Sequence, residues 1–330
     1  MKSRPLEEGR VLPLVIEPAV EEVDLVEWAR QNRSFVDDRL VEHGALLFRG
    51  FGEDVVERFE AFADAVCDGL FNENGEHPRE SVSGNVYTPV FYPPDERLLP
   101  HNENSFNHRW PKKILFCCAQ PPEQGGETPI TDSREVYRKL DDALRSTFEE
   151  RGVMYMRNYY QGGVGLSWRE VFQTADPAEV ERRCREDGIR FEWKNDEELR
   201  TRTVQPGVIV HPDSGEKVWF NQAQHWHVAC LNPETRASIS KLFADEDLPR
   251  HCYFGDGSPI DDESMEHILS VYDELEVSFP WRRGDILLVD NVLAAHGRNP
   301  FSGERKILVA MGEMTSYDDV EAGDRRGGER

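Results

Sequence analysis

The chain has 330 residues, and 39 Lys and Arg against 63 Asp and Glu give it a formal net charge of −24 at pH 7. This charge repels nucleic acid and anionic membrane surfaces, so we expect neither as a partner. No stretch approaches the roughly 20 apolar residues of a membrane span, and the N-terminal residues lack the apolar core of a signal peptide. Six scattered cysteines without C-x-x-C spacing are typical of free thiols in a cytoplasmic protein.

In chain order, the apolar pattern predicts strands near both ends of the chain and helices between them. Residues 11–16 are apolar but interrupted by proline, which favours an edge strand. Helical spacing predicts a helix over 53–70, and a capping-box pattern at Asp132 predicts another that begins near Ser133. Further helices are predicted over 177–187, 233–244 and 261–275, and strands over 44–50, 114–119, 204–211, 216–221, 285–290 and 305–311.

The order of these elements favours a mainly β fold. Helices and loops are expected to fill 120–200 and 230–280. A β-barrel or jelly-roll core with helical insertions accommodates this order, whereas a doubly wound sheet requires regular alternation of strands and helices. Nothing in the composition marks a linker, so we predict one domain over 1–330 with a frayed tail at 321–330.

A candidate metal site begins with His101 and Glu103, which point the same way if they lie on a strand. His296 follows the apolar strand predicted over 285–290 and supplies a third ligand. Two histidines and one carboxylate on one face of Fe(II) leave three positions for a bidentate co-substrate and O2. For the short His-x-Glu pattern alone, an ordinary surface or core pair is the simpler interpretation; with His296 the two interpretations are balanced.

An arginine at the start of the last apolar strand adds weight to the iron interpretation. Arg305 stands nine residues after His296. A cavity with a metal at one end needs a fixed cation at the other to hold a dicarboxylate such as 2-oxoglutarate, and the planar guanidinium pairs both oxygens of a carboxylate. Arg298 and Lys306 are the alternative cations. The turn-rich segment 121–132 is, by composition alone, a plain loop.

Taken together, these motifs resemble the taurine dioxygenase superfamily of Fe(II)/2-oxoglutarate-dependent oxygenases. The matching residues, in order, are His101-x-Glu103, Gly125-Gly-Glu-Thr128, Asp290-Asn291, His296 and Gly303-x-Arg305. The sequence segments resemble most closely those of the SyrP-like branch of this superfamily, which is found in peptide natural-product pathways. It shares segments such as His101-Asn-Glu-Asn-Ser-Phe106, Trp219-Phe-Asn-Gln222 and Tyr253-Phe-Gly-Asp-Gly-Ser-Pro259. The resemblance covers roughly residues 40–315, the expected core.

The resemblance implies a double-stranded β-helix (jelly-roll) core, with His101, Glu103 and His296 as iron ligands. It also implies that Thr128 hydrogen-bonds a carboxylate of 2-oxoglutarate and that Arg305 forms its salt bridge, with O2 as the second co-substrate. Related halogenases have a small residue in place of the carboxylate ligand, so Glu103 favours hydroxylation. Sulfonate-using members grip the substrate with a second arginine, where this chain has Ala310, which argues against a taurine-like substrate.

Two residues are candidates for contact with the organic substrate. Arg157 precedes a glycine-rich stretch at 161–166 that is a candidate lid, and it could hold a substrate carboxylate or phosphate; a surface salt bridge is the alternative. Asn221 could face the barrel, with a satisfied core asparagine as the alternative. His225 and His227 are rejected as a second metal pair because no further ligand lies nearby in the sequence. The structural or surface histidines are expected to be His108, His211 and His251.

The leading hypothesis is hydroxylation of an amino acid, free or tethered to a peptidyl carrier protein, in natural-product biosynthesis. Carrier proteins are commonly acidic, so the negative charge of this chain would require a local basic patch for docking. One alternative is the same chemistry on another small metabolite, phosphonate or alkaloid-like, with desaturation or cyclisation. The others are a non-catalytic metal-binding β-barrel and a zinc hydrolase that uses the same three ligands.

Overall fold

The computed structural model describes residues 1–71, 81–161 and 164–320. The predicted tail at 321–330 and two residues of the predicted lid at 161–166 lie outside this part of the chain. The helices within it are α1 (Leu25–Gln31), α2 (Arg33–His43), α3 (Phe59–Val66), α4 (Ser133–Lys139), α5 (Asp142–Arg151), α6 (Trp168–Phe172), α7 (Pro177–Glu186), α8 (Ala223–Trp226), α9 (Pro233–Leu242) and α10 (Asp262–Leu275). No helix in the described ranges is long and apolar enough to cross a bilayer.

The strands of the same ranges fall into three larger sheets and two two-stranded sheets. They are β1 (Lys2–Pro5), β2 (Leu14–Glu17), β3 (Ala45–Phe48), β4 (Ser81–Ser83), β5 (Val86–Tyr87), β6 (Leu98–His101), β7 (Arg109–Gln120), β8 (Gln124–Gly125), β9 (Ile130–Asp132), β10 (Val153–Tyr159), β11 (Arg190–Trp193), β12 (Leu199–Gln205), β13 (Val208–Val210), β14 (Lys217–Trp219), β15 (Arg250–Phe254), β16 (Ile286–Asp290), β17 (Ala294–Arg298), β18 (Phe301–Ser302) and β19 (Lys306–Ser316).

The largest sheet has eight strands in the order β1-β2-β3-β16-β7-β19-β5-β4. Its neighbours are antiparallel except β2 and β3. The predicted strands at 44–50, 114–119, 285–290 and 305–311 correspond to β3, β7, β16 and β19 in its centre. These strands were predictable because they are continuous apolar runs, the pattern of strands buried on both faces.

Alternate residues of the large sheet face two different layers. On one face, Leu46 and Leu288 pack with apolar residues of α1, α2 and α3. On the other face, Leu47 and Val289 join a second cluster that includes residues of β9 and β17, which belong to the three-stranded sheet β6-β17-β9, here called the small sheet. Cys117 belongs to the first cluster and Cys118 to the second, so these neighbouring cysteines face opposite sides of the sheet.

A three-stranded antiparallel sheet, in the order β6-β17-β9, provides the second layer of the site. His296 on its central strand pairs with His101 on one side and with Ile130 on the other. The ring of Phe116, from the large sheet, lies 5.0 Å from the ring of His296. The candidate ligands therefore lie on the face of the small sheet that is turned towards the large sheet.

The middle of the chain contains a sheet that the sequence pattern did not predict. Helices and loops were expected over 120–200 and 230–280, but β11, β12, β10 and β15 form a four-stranded antiparallel sheet there. We refer to it as the insertion sheet. It was missed because its strands carry many polar residues, as in Leu199–Gln205 (Leu-Arg-Thr-Arg-Thr-Val-Gln), and have no clear apolar alternation.

Three other expectations need correction. The helix expected over 53–70 is limited to α3, because residues 54–58 form isolated turns such as Glu57 N–H to Asp54 C=O. The helix expected from Ser133 is divided at Leu140, which is extended, and Asp141 caps a new helix. The strand expected within 11–16 is not at an edge, since β1 pairs with β2 on its outer side.

Candidate metal centre

His101, Glu103 and His296 form a group in which one potential ligand atom from each lies within 4.8 Å of the others. The Nε2 atoms of His101 and His296 lie 3.7 Å and 4.0 Å from Oε2 of Glu103. The two imidazole rings are 4.5 Å apart. These separations fit three ligands on one face of a single ion, and two imidazoles with one carboxylate suit Fe(II).

The strand register explains why the two histidines meet. His101 and His296 are directly opposite each other on β6 and β17, so their side chains lie on the same face. Nδ1 of His101 lies 3.0 Å from the carbonyl oxygen of Leu99. A hydrogen bond from Nδ1–H to that carbonyl leaves the lone pair of Nε2 for a metal, and such a bond commonly orients a histidine ligand.

Glu103 lies beyond the end of β6, and Asn291 fixes its position. Asn291 is fully buried, and its side-chain oxygen accepts the N–H of Glu103 at 2.7 Å. Its side-chain nitrogen donates to the carbonyl oxygens of Glu103 and Pro111, both at 2.9 Å. The sequence motif contained Asn291, but its role is visible only in the structure: it connects the β16–β17 turn to the segment that carries the carboxylate.

A cavity of about 750 Å³ lies over the three residues. Its apolar walls include Phe116 and Val309 of the large sheet, Phe91 and Tyr92 of the segment before β6, and Trp226 of α8. A volume of this size is typical of small-molecule sites. The walls restrict water near the metal position and leave room for two organic molecules.

Arg305 also lines this cavity and is partly buried. Its Nε donates to the carbonyl oxygen of Gly126 at 2.8 Å, and one terminal nitrogen donates to Oγ1 of Thr128 at 3.4 Å. Burial and, to a lesser extent, the charge of the nearby Arg298 lower the pKa of Arg305 to about 10, so the side chain stays charged at neutral pH. It forms no ion pair with a carboxylate of the described residues, which fits a cation that binds an anionic co-substrate.

The hydroxyl of Thr128 is oriented by two donors. Nε1 of Trp281 donates to Oγ1 at 3.2 Å, in addition to the bond from Arg305. A hydroxyl has two acceptor lone pairs and one O–H. Because both lone pairs are used, the O–H of Thr128 is available to donate to a carboxylate in the cavity. Trp281 was not singled out in the sequence, and no motif indicated it.

The glycines before Thr128 allow Arg305 to reach it. Gly125 has a φ of +68°, and a Cβ there would collide with the carbonyl oxygen of Pro300 on the neighbouring segment. Gly126 has a φ of +70°, and its Cβ would lie 3.0 Å from Cδ of Arg305. The segment at 121–132, a plain loop by composition, therefore packs closely against the segment at 300–305, and this contact brings Arg305 to Thr128.

The other two candidate cations have different surroundings. Arg298 donates to the carbonyl oxygens of Tyr92, Pro93 and Glu96, so it holds the segment before β6. Lys306 is exposed at the cavity rim. Arg305 is the partly buried cation beside Thr128, as the sequence pattern favoured.

Comparison with known proteins identifies the family. A family model described as "Taurine catabolism dioxygenase TauD, TfdA family" matches residues 3–311. The chain belongs to this family. It is 37% identical over 277 residues to the dapdiamide synthesis protein DdaC of Enterobacter agglomerans, which covers 84% of each chain. It is 30% identical over 323 residues to a clavaminate synthase-like protein of Arabidopsis thaliana, which covers 92% of this chain and 94% of that one.

The fold is that of the TauD-like dioxygenases. A taurine dioxygenase from Burkholderia xenovorans superimposes with a TM-score of 0.51 at 17% identity, over 96% of this chain and 92% of that one. As a member of the TauD/TfdA family, the chain is a dioxygenase that depends on Fe(II) and 2-oxoglutarate. This assignment decides against the non-catalytic barrel and the zinc hydrolase.

The structure places the two candidate substrate residues of this TauD/TfdA protein differently. Arg157 lines the cavity, and its guanidinium lies 5.0 Å from the ring centroid of Trp226. Asn221 is fully buried, donates to the carbonyl oxygen of Gly207 and accepts the N–H of Ala223. These contacts favour the structural alternative for Asn221.

The remaining histidines have local partners. His225 lies beside the ligand group, with its ring 4.7 Å from that of His101 and its Nε2 2.7 Å from the carbonyl oxygen of Leu99. His227 packs against His251 and contacts the carbonyl oxygen of Ile260, away from His225. The metal-compatible group found in the described residues includes neither His225 nor His227. Nε2 of His108 lies 3.3 Å from a carboxylate oxygen of Asp318, and Nε2 of His211 lies 3.1 Å from one of Asp290.

Proposed function

We propose that this chain hydroxylates an unactivated C–H bond of an amino acid, free or tethered to a peptidyl carrier protein, in the biosynthesis of a natural product. The main support is that the His-Glu-His group, Thr128 and Arg305 line one cavity, which has room for an organic substrate beside 2-oxoglutarate. The similarity to DdaC, a dapdiamide synthesis protein, supports the natural-product setting.

The proposed roles follow from the positions of the side chains. His101 and His296 bind Fe(II) through Nε2, and Glu103 binds it through its carboxylate. Arg305 and Thr128 bind the distal carboxylate of 2-oxoglutarate. When bound, Fe(II) with 2-oxoglutarate and O2 supplies the oxidation: 2-oxoglutarate becomes succinate and CO2, and one oxygen atom of O2 enters the substrate C–H bond as a hydroxyl.

The protein contributes by positioning and by excluding water. Arg305 is held by Gly126 and Thr128, so the co-substrate has one orientation. The apolar walls at Phe116 and Val309 keep bulk water from the reacting carbon. Arg157 is the proposed substrate contact on the opposite wall. Such fixed placement of reactants is the main contribution of a protein whose cofactor carries the chemistry.

Three further proposals concern the whole protein. We infer that the large sheet and the sheet β6-β17-β9 are the two faces of a double-stranded β-helix, which the TauD-like neighbours support. Residues 1–330 are proposed to form one domain. The cytoplasm is the proposed location, supported by six cysteines that are free in the structure.

The test is a coupled screen with purified, anaerobically iron-loaded protein. Free amino acids and carrier-bound aminoacyl thioesters are added with 2-oxoglutarate and O2, and succinate and product masses are measured. A product heavier by one oxygen atom, formed together with succinate, supports the proposal. A product lighter by two hydrogens shows the alternative outcome of desaturation or cyclisation. If neither free nor carrier-bound amino acids stimulate the formation of succinate, the substrate assignment is overturned.

A further inference from the structure

The first turn of α8 brings two polar side chains to the cavity wall. Gln222, the residue just before α8, and His225 both line the cavity. The backbone N–H of His225 donates to the carbonyl oxygen of Gln222 at 2.9 Å, so one helical turn joins the two residues. Side chains three positions apart on such a turn are neighbours on one face. We refer to Gln222 and His225 as the α8 pair.

Both members of the α8 pair donate to the segment that carries the metal ligand His101. Nε2 of Gln222 lies 2.6 Å from the carbonyl oxygen of Asn102, and Nε2 of His225 lies 2.7 Å from that of Leu99. A carbonyl oxygen only accepts, so each of these nitrogens carries the hydrogen. The contacts therefore fix the orientation of the amide and the tautomer of the ring. Oε1 of Gln222 is an acceptor, and so is Nδ1 of the neutral imidazole.

These two acceptor atoms have no partner within the protein. Oε1 of Gln222 and Nδ1 of His225 accept no hydrogen bond from the residues that the structure describes. Gln222 is only 5% exposed, yet neither atom is fully enclosed by protein. The open space that both residues line is the cavity, so both acceptors reach it. Polar atoms in a largely buried position favour a hydrogen-bond partner, and here a bound molecule can supply it.

The same helix carries a second glutamine and a second histidine that do not face the cavity. Nε2 of Gln224 donates to the carbonyl oxygen of Pro100 at 2.6 Å, and Nε2 of His227 lies 3.0 Å from that of Ile260. Nδ1 of His227 accepts the N–H of Ala229. Both side chains are buried and lie outside the described cavity wall. Unpaired acceptors in the cavity are therefore specific to the α8 pair.

The α8 pair lies beside the metal group, on the side away from Arg305. The ring of His225 is 4.7 Å from that of His101 on β6, whereas Arg305 lies next to β9. These two strands are the opposite edges of the small sheet. Trp226 of the same helix contacts Arg157, the proposed substrate residue. A group bound by the α8 pair is therefore separate from the carboxylate of the co-substrate and belongs to the organic substrate.

Two neighbouring acceptors fit a nitrogen that carries at least two hydrogens. A carboxylate has no hydrogen to donate, and a hydroxyl has only one. We propose that Oε1 of Gln222 and Nδ1 of His225 bind an amino group or a primary amide of the organic substrate. This inference rests on the proposed function and gives it a chemical class. An amino acid tethered through its carboxyl group still fits, because its amino group is not used by the thioester.

The test uses isothermal titration calorimetry on the anaerobic Fe(II)/2-oxoglutarate protein at about pH 8, where an ordinary histidine is neutral. The probes are propionamide, N,N-dimethylpropionamide and propylamine. The wild type should bind propionamide at least about tenfold more tightly than the dimethyl amide, which has no N–H, since two hydrogen bonds are lost. Propylamine is protonated at this pH. Tighter binding of propylamine than of propionamide assigns the site to an amino group, and the reverse order assigns it to a primary amide.

Two variants of the α8 pair and two matched controls locate this preference. Gln222→Met and His225→Phe each remove one acceptor, so each should reduce the preference for propionamide to about threefold, and the double variant should abolish it. Gln224→Met and His227→Phe remove the same groups from the buried positions of the helix. These controls should keep the full preference. All four changes also remove one donor to a backbone carbonyl, so that loss is common to both sets.

The visible charge-transfer band and the iron content of each variant test for a purely structural role. Such a role would weaken all three probes equally and would affect the matched controls as strongly. The proposal is overturned by that result, by equal binding of the two amides to the wild type, or by a preference that persists in the double variant. A wild type that lacks the band but shows the expected preference contradicts the proposed function and leaves the α8 pair supported.

Discussion

The two edges of the small sheet are built in different ways. At the β9 edge, Arg305, Thr128 and Trp281 are linked by hydrogen bonds to one another and to the backbone of Gly126. At the β6 edge, Arg157 lies on ring faces, and its cross-strand neighbour Arg250 is exposed. Hydrogen bonds fix one geometry, whereas stacked side chains allow small rotations.

The difference matches the molecules that each edge is proposed to bind. The co-substrate is the same in every turnover of such an enzyme, and its proposed site is formed by residues just before the core strands β9 and β19. The proposed substrate contacts belong to α8 and to the insertion sheet, which packs beside the core through that helix. A change in the insertion sheet can alter the substrate without moving the iron ligands or the arginine that binds 2-oxoglutarate.

The largest expected effect follows from His296→Ala, because this residue lies between the two edges. Removal of one of three ligands should weaken Fe(II) binding more than about 100-fold. The charge-transfer band with 2-oxoglutarate should disappear. Iron content after anaerobic reconstitution and the visible spectrum measure both effects.

The control for this experiment is His108→Ala, which removes a half-buried histidine whose Nε2 lies 3.3 Å from a carboxylate oxygen of Asp318. It should bind iron like the wild type. Full iron binding and an intact charge-transfer band in His296→Ala would contradict the ligand assignment. The metal would then not lie between the two edges of the small sheet.

The next largest effect is expected from Arg305→Gln, which removes the cation of the β9 edge. The loss of a charge-assisted, two-point contact should raise the KM for 2-oxoglutarate by roughly 100-fold, with iron binding unchanged. Lys306→Gln, at the adjacent position, should change KM by less than about twofold because an exposed charge contributes little. Equal effects of the two variants would show that the co-substrate is bound elsewhere.

The pH dependence provides a second measurement on Arg305. Burial lowers its pKa to about 10, so the guanidinium is protonated at pH 7 and loses its proton as the pH rises through that value. The protonated form binds the dianion. Titration of Arg305 should therefore leave the affinity of the wild type for 2-oxoglutarate unchanged below about pH 9 and should lower it above that pH, and this fall should be absent in Arg305→Gln.

Much of the core was predictable from the sequence, and the insertion sheet was not. Strands such as Ile286–Asp290 are buried along their whole length, so a continuous apolar run indicates them. The strand Val153–Tyr159 includes Arg157 and Asn158, and its partners lie about 50 and 100 residues away in the chain. Local pattern does not report such distant pairing, which is also why the cross-strand pair with Arg250 was not predicted.

The site shows the same division between local and distant information. The metal group and Arg305 were predicted because the family motifs contain them as short, recognisable segments. Trp281 was missed because its contribution is one N–H donated across a distance of 153 positions in the chain. For Asn221 the sequence left a substrate contact and a satisfied core asparagine as alternatives, and its hydrogen bonds with Gly207 and Ala223 favour the second.

A smaller effect is expected from Asn291→Leu, which tests how the centre is held. Its loss leaves the backbone of Glu103 and the carbonyl of Pro111 without their partner, at a cost of about 2–4 kcal/mol in the free energy of unfolding. Iron affinity should fall about tenfold, as is typical for loss of a residue that orients a ligand. Denaturant titration and iron binding measure the two effects.

Asn158→Leu is a matched control from the insertion sheet. Asn158 is buried, donates to the carbonyl oxygens of Glu246 and Leu248, and accepts from Arg200. Its loss should destabilise the fold by a similar amount but leave iron affinity unchanged. If iron affinity falls equally in both variants, the insertion sheet supports the metal centre directly, and the two regions are less independent than the contacts indicate.

The smallest expected effect is that of Trp281→Phe, which removes one donor to Thr128 and keeps an aromatic ring. With one lone pair of Oγ1 freed, the hydroxyl can rotate and its O–H is no longer directed at the co-substrate. The affinity for 2-oxoglutarate should fall by roughly two- to tenfold, the value of one hydrogen bond, while iron binding stays unchanged. Trp193→Phe, which removes a comparable N–H donated to Glu181 beside the insertion sheet, should have no effect on 2-oxoglutarate. A loss of affinity restricted to Trp281→Phe would show that the β9 edge depends on the direction of a single O–H, because the two changes remove the same group from the two regions.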